Sequence, residues 1–136
     1  MIHLDTNVAI ALLNNRHPQV RARFDAALAS GAPMSLSIIV YYELMYGAAG
    51  SVRRKANEDK IALFVASGRL SLLSFEAMDA REAADIRADL KRTGTPIGPY
   101  DVLIAAQARR AAATLVTANT SEFERVGGLI VIDWAT

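Results

Sequence analysis

Apolar positions along the chain fall into short runs that alternate with longer stretches at helical spacing. Ile2 to Leu4 has strand length, and Val8 to Leu13 follows as an apolar helix with Thr6 and Asn7 placed to cap it. Pro18 suits the first position of a second helix, about Gln19 to Ala29, whose Val20, Phe24, Ala27 and Leu28 share a face. Met34 to Ser37 reads as a second strand, and Ile38 to Tyr46 as a helix stopped near Gly47 and Gly50. Ser51 to Ser67 reads as a helix with Gly68 as its C-terminal cap. Leu70 to Leu73 is a third strand. Glu76 to Arg92 is the longest helix, with acids early and Lys91 and Arg92 late, as the helix dipole prefers. Thr93 to Pro99 cannot be helical, and Tyr100 to Ala113 is an Ala-rich helix. Thr114 to Thr117 and Leu129 to Ile132 supply the last two strands.

Strands alternating with helices predict an α/β fold with about five mostly parallel strands and helices on both faces. No linker, repeat or low-complexity stretch divides residues 1–136, so one domain is expected. An apolar content of 52% is enough for a core. Net charge is +1, from 15 basic and 14 acidic residues, which excludes a general polycation but not a local basic patch. With no cysteine there is neither a disulfide nor a thiolate metal site. No signal-peptide pattern opens the chain, and no apolar run reaches the roughly 18 residues that span a bilayer. A cytoplasmic protein without membrane contact is the expectation.

Four polar residues then stand out. Asp5 follows the first strand directly, where parallel sheets bind ligands; it is also where a plain helix cap belongs. Glu43 has Ile39, Val40, Tyr46 and Gly47 one turn away. Its carboxylate either lies on a buried face and needs a partner or a metal, or reaches water at a boundary. Asp101 sits in the first turn of its helix, which the dipole alone would explain. Yet Ile97, Gly98, Ile104 and Ala105 flank it, and that face points inward. Asn119 follows the fourth strand and forms a capping-box pattern with Glu122. Together these are oxygen ligands from four separate segments that can meet at one sheet edge. Hard divalent ions take such ligands, polarise phosphate oxygens and activate water. His3 and His17 have no metal-ligand spacing, which argues against zinc.

The strand into Asp5-Thr6-Asn7, the Tyr42-Glu43-Leu44 helix, the run Gly98 to Ala106, and Val116 to Asn119 before Glu122-Phe123 occur in an order that resembles PIN-domain nucleases. More closely the chain resembles the VapC toxins of bacterial toxin–antitoxin pairs, including its tail from Val126 to Asp133-Trp134. The resemblance implies a PIN-like three-layer α/β/α fold and a metal-dependent endoribonuclease acting on RNA. It implies Mg2+ or Mn2+ held by Asp5, Glu43 and Asp101, with Asn119 at a fourth position often occupied by Asp. An amide there brings oxygen without charge, so a second metal would be held weakly. Thr6 and Thr117 match small hydroxyl positions near the site. The resemblance also implies a homodimer, with Ile38 to Tyr46 as one candidate contact, and a cognate VapB-like antitoxin that inserts near the acids. Arg16, Arg53, Arg54, Lys55, Arg109 and Arg110 are candidate phosphate contacts.

Two other readings compete. A haloacid-dehalogenase-like phosphatase also begins with a strand and an Asp, but it needs a second acid two residues on, where Asn7 stands. A noncatalytic binding module would use the same acids structurally.

Overall fold

The computed structural model describes all 136 residues. Its order is β1 (Ile2–Leu4), α1 (Thr6–Leu13), α2 (Pro18–Ala29), β2 (Met34–Ser37), α3 (Ile38–Ala49) and α4 (Arg54–Ser67). β3 (Ser71–Leu73), α5 (Ala77–Arg92), α6 (Pro99–Arg110), β4 (Thr114–Val116), α7 (Thr120–Phe123) and β5 (Ile130–Ile132) complete it. The strands form one five-stranded parallel sheet in the order β3-β2-β1-β4-β5. Helices α1 to α4 pack on one another, and α5 packs on α6. Right-handed crossovers account for this division. The chain steps outward from β1 to β3 over one face and returns from β3 to β4 over the other, giving three layers.

The central strands are the most buried. Leu36, Leu115 and Val116 are fully buried, while the edge strands β3 and β5 keep exposed residues. The core runs through Leu4, Leu12, Phe24, Ile86, Ile104 and Phe123. Trp134, past the last strand, closes it edge-on against Phe24 with ring centroids 6.5 Å apart. His3 lies on β1 between Ser35 and Leu115. Burial, then the charge of the nearby N-terminus, pushes its imidazole below the ordinary value, so it stays neutral in the sheet. No helix is long and apolar enough to cross a membrane.

Several boundaries differ from the sequence expectation. Thr6 and Asn7 lie inside α1, and Asp5 is its cap, accepting from Thr6 N–H. Helix α3 continues through Gly47 to Ala49, because Ala48 is buried and anchors the extra turn. Ser51 does not start α4; its hydroxyl closes α3 by donating to Ala48 O. Helix α6 ends at Arg110, and Ala112 turns left-handed with φ 51°.

Gly68 does end α4, but not through left-handed backbone. Its φ is −80°, and the left-handed position falls to Arg69 at φ 51°. Space is the constraint instead. A Cβ on Gly68 would lie 2.9 Å from both Phe24 Cζ and the Phe64 carbonyl oxygen. A backbone oxygen cannot step aside, so Gly68→Ala is expected to cost about 1–3 kcal/mol through overpacking. A fall in the urea midpoint at constant slope would show it; an unchanged midpoint would show that the Phe24 ring and the turn give way.

Candidate active site

The strand order reverses direction at β1. Its neighbour β2 leads to one side of the sheet and β4 to the other, so the carboxyl ends of β1 and β4 open a crevice. Asp5 follows β1 there, and Thr117, Ala118 and Asn119 follow β4. Helix α3, entered from β2, carries Glu43, and the first turn of α6 carries Asp101.

Asp5 is only 3% exposed. Its Oδ1 accepts from Thr6 N–H at 2.8 Å; its Oδ2 accepts from Thr117 Oγ1 at 2.7 Å and Asn7 Nδ2 at 3.2 Å. These three bonds fix the carboxylate and leave about one of its four lone-pair sites free for a ligand. Burial still pushes Asp5 above the ordinary carboxylate value, with the three hydrogen bonds pulling the other way. Asn7 Oδ1 also accepts from Ala118 N–H at 3.0 Å, which ties the start of α1 to the end of β4. The sequence reading did not foresee this clamp; its signal is the Asn two residues after the strand-ending Asp.

Thr6 links Asp5 to α3. Its hydroxyl donates to Glu43 Oε1 at 2.8 Å. Glu43 is half-buried rather than enclosed, because Tyr46 beside it is 71% exposed. Asn119 departs from the expected capping box. Its amide Nδ2 donates to Glu122 Oε2 at 2.9 Å, and its N–H donates to Thr117 Oγ1 at 3.0 Å, so its side chain caps nothing. Glu122 thereby belongs to the cluster.

Asp101 is the unbalanced member. It is half-buried and accepts no hydrogen bond within the chain. Burial first, and then the charges of Asp5, Glu122 and Glu43, raise it from 3.8 to about 6. Gly98 leaves room for it, since a Cβ there would come within 3.1 Å of Asp101 Oδ2. An unpartnered carboxylate facing three others lacks a counter-charge, and an all-oxygen donor set fits a hard divalent cation. No three of these side chains already converge closely enough to hold an ion.

The PIN-domain family matches residues 2–129. The chain belongs to that family. Among similar PIN proteins, the tRNA(fMet)-specific endonuclease VapC of Shigella flexneri is 41% identical over 132 residues, covering 97% of this chain and 96% of its own. Ribonuclease VapC2 of Rickettsia felis is 35% identical over 131 residues, 96% of each chain. The crystal structure of Rickettsia felis VapBC2 bound to a promoter DNA fragment superposes with a TM-score of 0.90 at 32% identity, over 98% of this chain and 99% of that one. DNA-bound VapBC from Salmonella typhimurium gives a TM-score of 0.89 at 37% identity, over 98% and 97%. Within the PIN domains, this chain groups with the VapC ribonucleases.

The raised proton affinity of Asp101 has a defined sign. Unfolded, it ionises near 3.8; folded and metal-free, near 6. Its contribution therefore turns increasingly unfavourable from about pH 4 to about pH 6 and stays so above. Asp101→Asn should raise the melting temperature in EDTA, and by more at about pH 7.5 than at about pH 5. Equal gains at both pH values would show that Asp101 carries no such burden.

Proposed function

We propose that this chain is a divalent-metal-dependent endoribonuclease, the toxin of a type II toxin–antitoxin pair, that hydrolyses RNA phosphodiesters in the cytoplasm. The observation that carries the reading is Asp101, half-buried and unpartnered opposite Asp5, Glu43 and Glu122 at the point where the strand order reverses. Asp5, Asp101 and Glu43 would hold Mg2+ (or Mn2+), with Asn119 Oδ1 as a neutral donor beside them. When bound, such an ion supplies an activated water and neutralises charge at the scissile phosphate. The chain's own part is to hold and orient. Thr6, Asn7 and Thr117 lock the Asp5 oxygens, Thr6 aims Glu43, and Glu122 holds the Asn119 amide so that its oxygen stays free. The Shigella relative's name makes tRNA(fMet) the first substrate to try.

The phosphatase reading has no support, because Asn7 is a neutral amide already committed to Asp5 and Ala118. For a VapB-like antitoxin, the support is that the similar structures are toxin–antitoxin complexes. An apolar groove of about 180 Å3, with Ile10, Leu13, Leu44, Ile61 and Glu43 among its lining residues, would accept an inserted segment. For a homodimer, the support is an exposed aromatic patch across α3 and α6. Tyr42, Tyr46 and Tyr100 are 50%, 71% and 45% exposed, and Tyr42 stacks on Tyr46 at 6.4 Å. Light scattering at micromolar concentration should give a dimer that Tyr46→Asp weakens; a monomeric parent would overturn this contact.

Asp5→Asn is expected to abolish metal-dependent RNA cleavage. In EDTA it should melt at or above the parent, because removing a buried charge offsets the lost bond to Asn7. Metal at about 100 times its Kd should stabilise the parent by roughly 2.7 kcal/mol, and Asp5→Asn by much less. If Asp5→Asn melts well below the parent in EDTA, the residue is chiefly a cap.

A further inference from the structure

Helix α5 and the loop after it enclose a groove of about 600 Å3, within the usual range of ligand sites. Leu90, Ile97 and Val102 form an apolar floor, and Arg87 and Lys91 stand on the rim. Pro99 lines the groove, and its neighbour Gly98 packs against the Asp101 carboxylate. One short stretch of backbone thus borders both the groove and the acid cluster.

The two rim cations differ from three other bases of α5 and α6. Arg92 pairs with Asp89, Arg109 with Glu82 and Arg110 with Asp79. None of the ion pairs of the chain includes Arg87 or Lys91. They lie four residues apart on one helical face, where like charges repel, and neither has an acid three or four residues away. No acidic residue lines the groove. The loop is also set in shape. Gly94 and Thr95 donate N–H bonds to the Lys91 and Leu90 carbonyls, and Arg125 Nη1 holds Pro96 O at 2.9 Å.

We propose that this groove binds one nucleotide of a single-stranded RNA substrate next to the scissile bond, its base on the apolar floor and its phosphate between Arg87 and Lys91. The proposal rests on the nuclease reading above. Unpaired Arg and Lys are ligands for phosphate, and the face of a base suits an aliphatic floor. The placement also answers a difficulty of the centre itself. Asp5, Glu43, Asp101 and Glu122 repel an RNA backbone, and a positive rim beside them draws it in.

The test compares two substrates on the full-length protein with Mg2+. One is a labelled single-stranded RNA; the other is bis(p-nitrophenyl) phosphate, a phosphodiester with no base and no second phosphate to meet the rim cations. Arg87→Gln with Lys91→Gln is expected to raise KM for RNA at least ~10-fold at low salt with little change in kcat, and to lower the slope of log KM against log salt by about 0.7 per cation removed. Turnover of the small ester should not change. For the parent, an abasic nucleotide beside the cleaved bond should also raise KM. Unchanged RNA kinetics in the double variant, or equal KM for abasic and intact RNA, overturns the proposal. So does a double variant that leaves RNA kinetics intact but dissociates a dimer or escapes antitoxin inhibition, since the groove then serves a protein contact. A parent that turns over neither substrate sinks the nuclease reading, and the role of the groove with it.

Discussion

Asp5 is a carboxylate almost sealed from water, and an amide N–H, a threonine hydroxyl and an asparagine amide are turned towards it. Those donors come from both ends of the chain. Thr6 and Asn7 belong to the first helical turn, and Thr117 is fully buried behind β4. The same contacts therefore cap α1, fasten it to the end of β4 and orient an acid at the crevice. An isolated buried charge would cost several kcal/mol. Here part of the cost is offset by bonds that also define the meeting of β1, α1 and β4.

The remaining acids follow a different logic. Asp101 has no donor, and its neighbours make its charge harder to bear. Elsewhere the chain balances its carboxylates with care. Asp79 is 5% exposed, yet it accepts from Glu76 N–H at the start of α5 and from Arg110 Nη1 at the end of α6. One carboxylate thus serves as a helix cap and as a brace between two helices. The contrast between Asp79 and Asp101 separates an acid braced by donors from one left without any.

Much of this was legible in the residues. Every strand and every long helix falls where apolar periodicity places it, because each has one clear environment, sheet centre or helix face. Boundaries slipped where tertiary contacts overrode local preference, as at Gly47, which Ala48 carries inside α3, and at Gly68, which packing rather than backbone freedom requires. Asp5 stood out at the end of a strand, Glu43 and Asp101 because they interrupt apolar faces, and the strand order explains why these positions share an edge. The Glu43 face is wetter than its neighbours suggested, since Tyr46 points outward. Asn119 matches a capping box in spacing, but its amide donates instead of accepting, a choice spacing cannot reveal. Of the six basic residues that looked available for phosphate, Arg54, Lys55, Arg109 and Arg110 hold ion pairs. Whether a base is free depends on contacts across helices, which no single segment displays.

The pairing of β1 with β4 also has a consequence in time. Ile2 lies beside Thr114, and Asp5 finds Thr117 across 112 positions of sequence. During synthesis the first strand emerges long before β4 exists, and Asp5 then has only its local donors, Thr6 and Asn7. Contacts so distant in sequence form late and slowly. A chain still being translated therefore cannot assemble this crevice before β4, and the acid cluster comes into being only after Thr117 and Glu122 have been made.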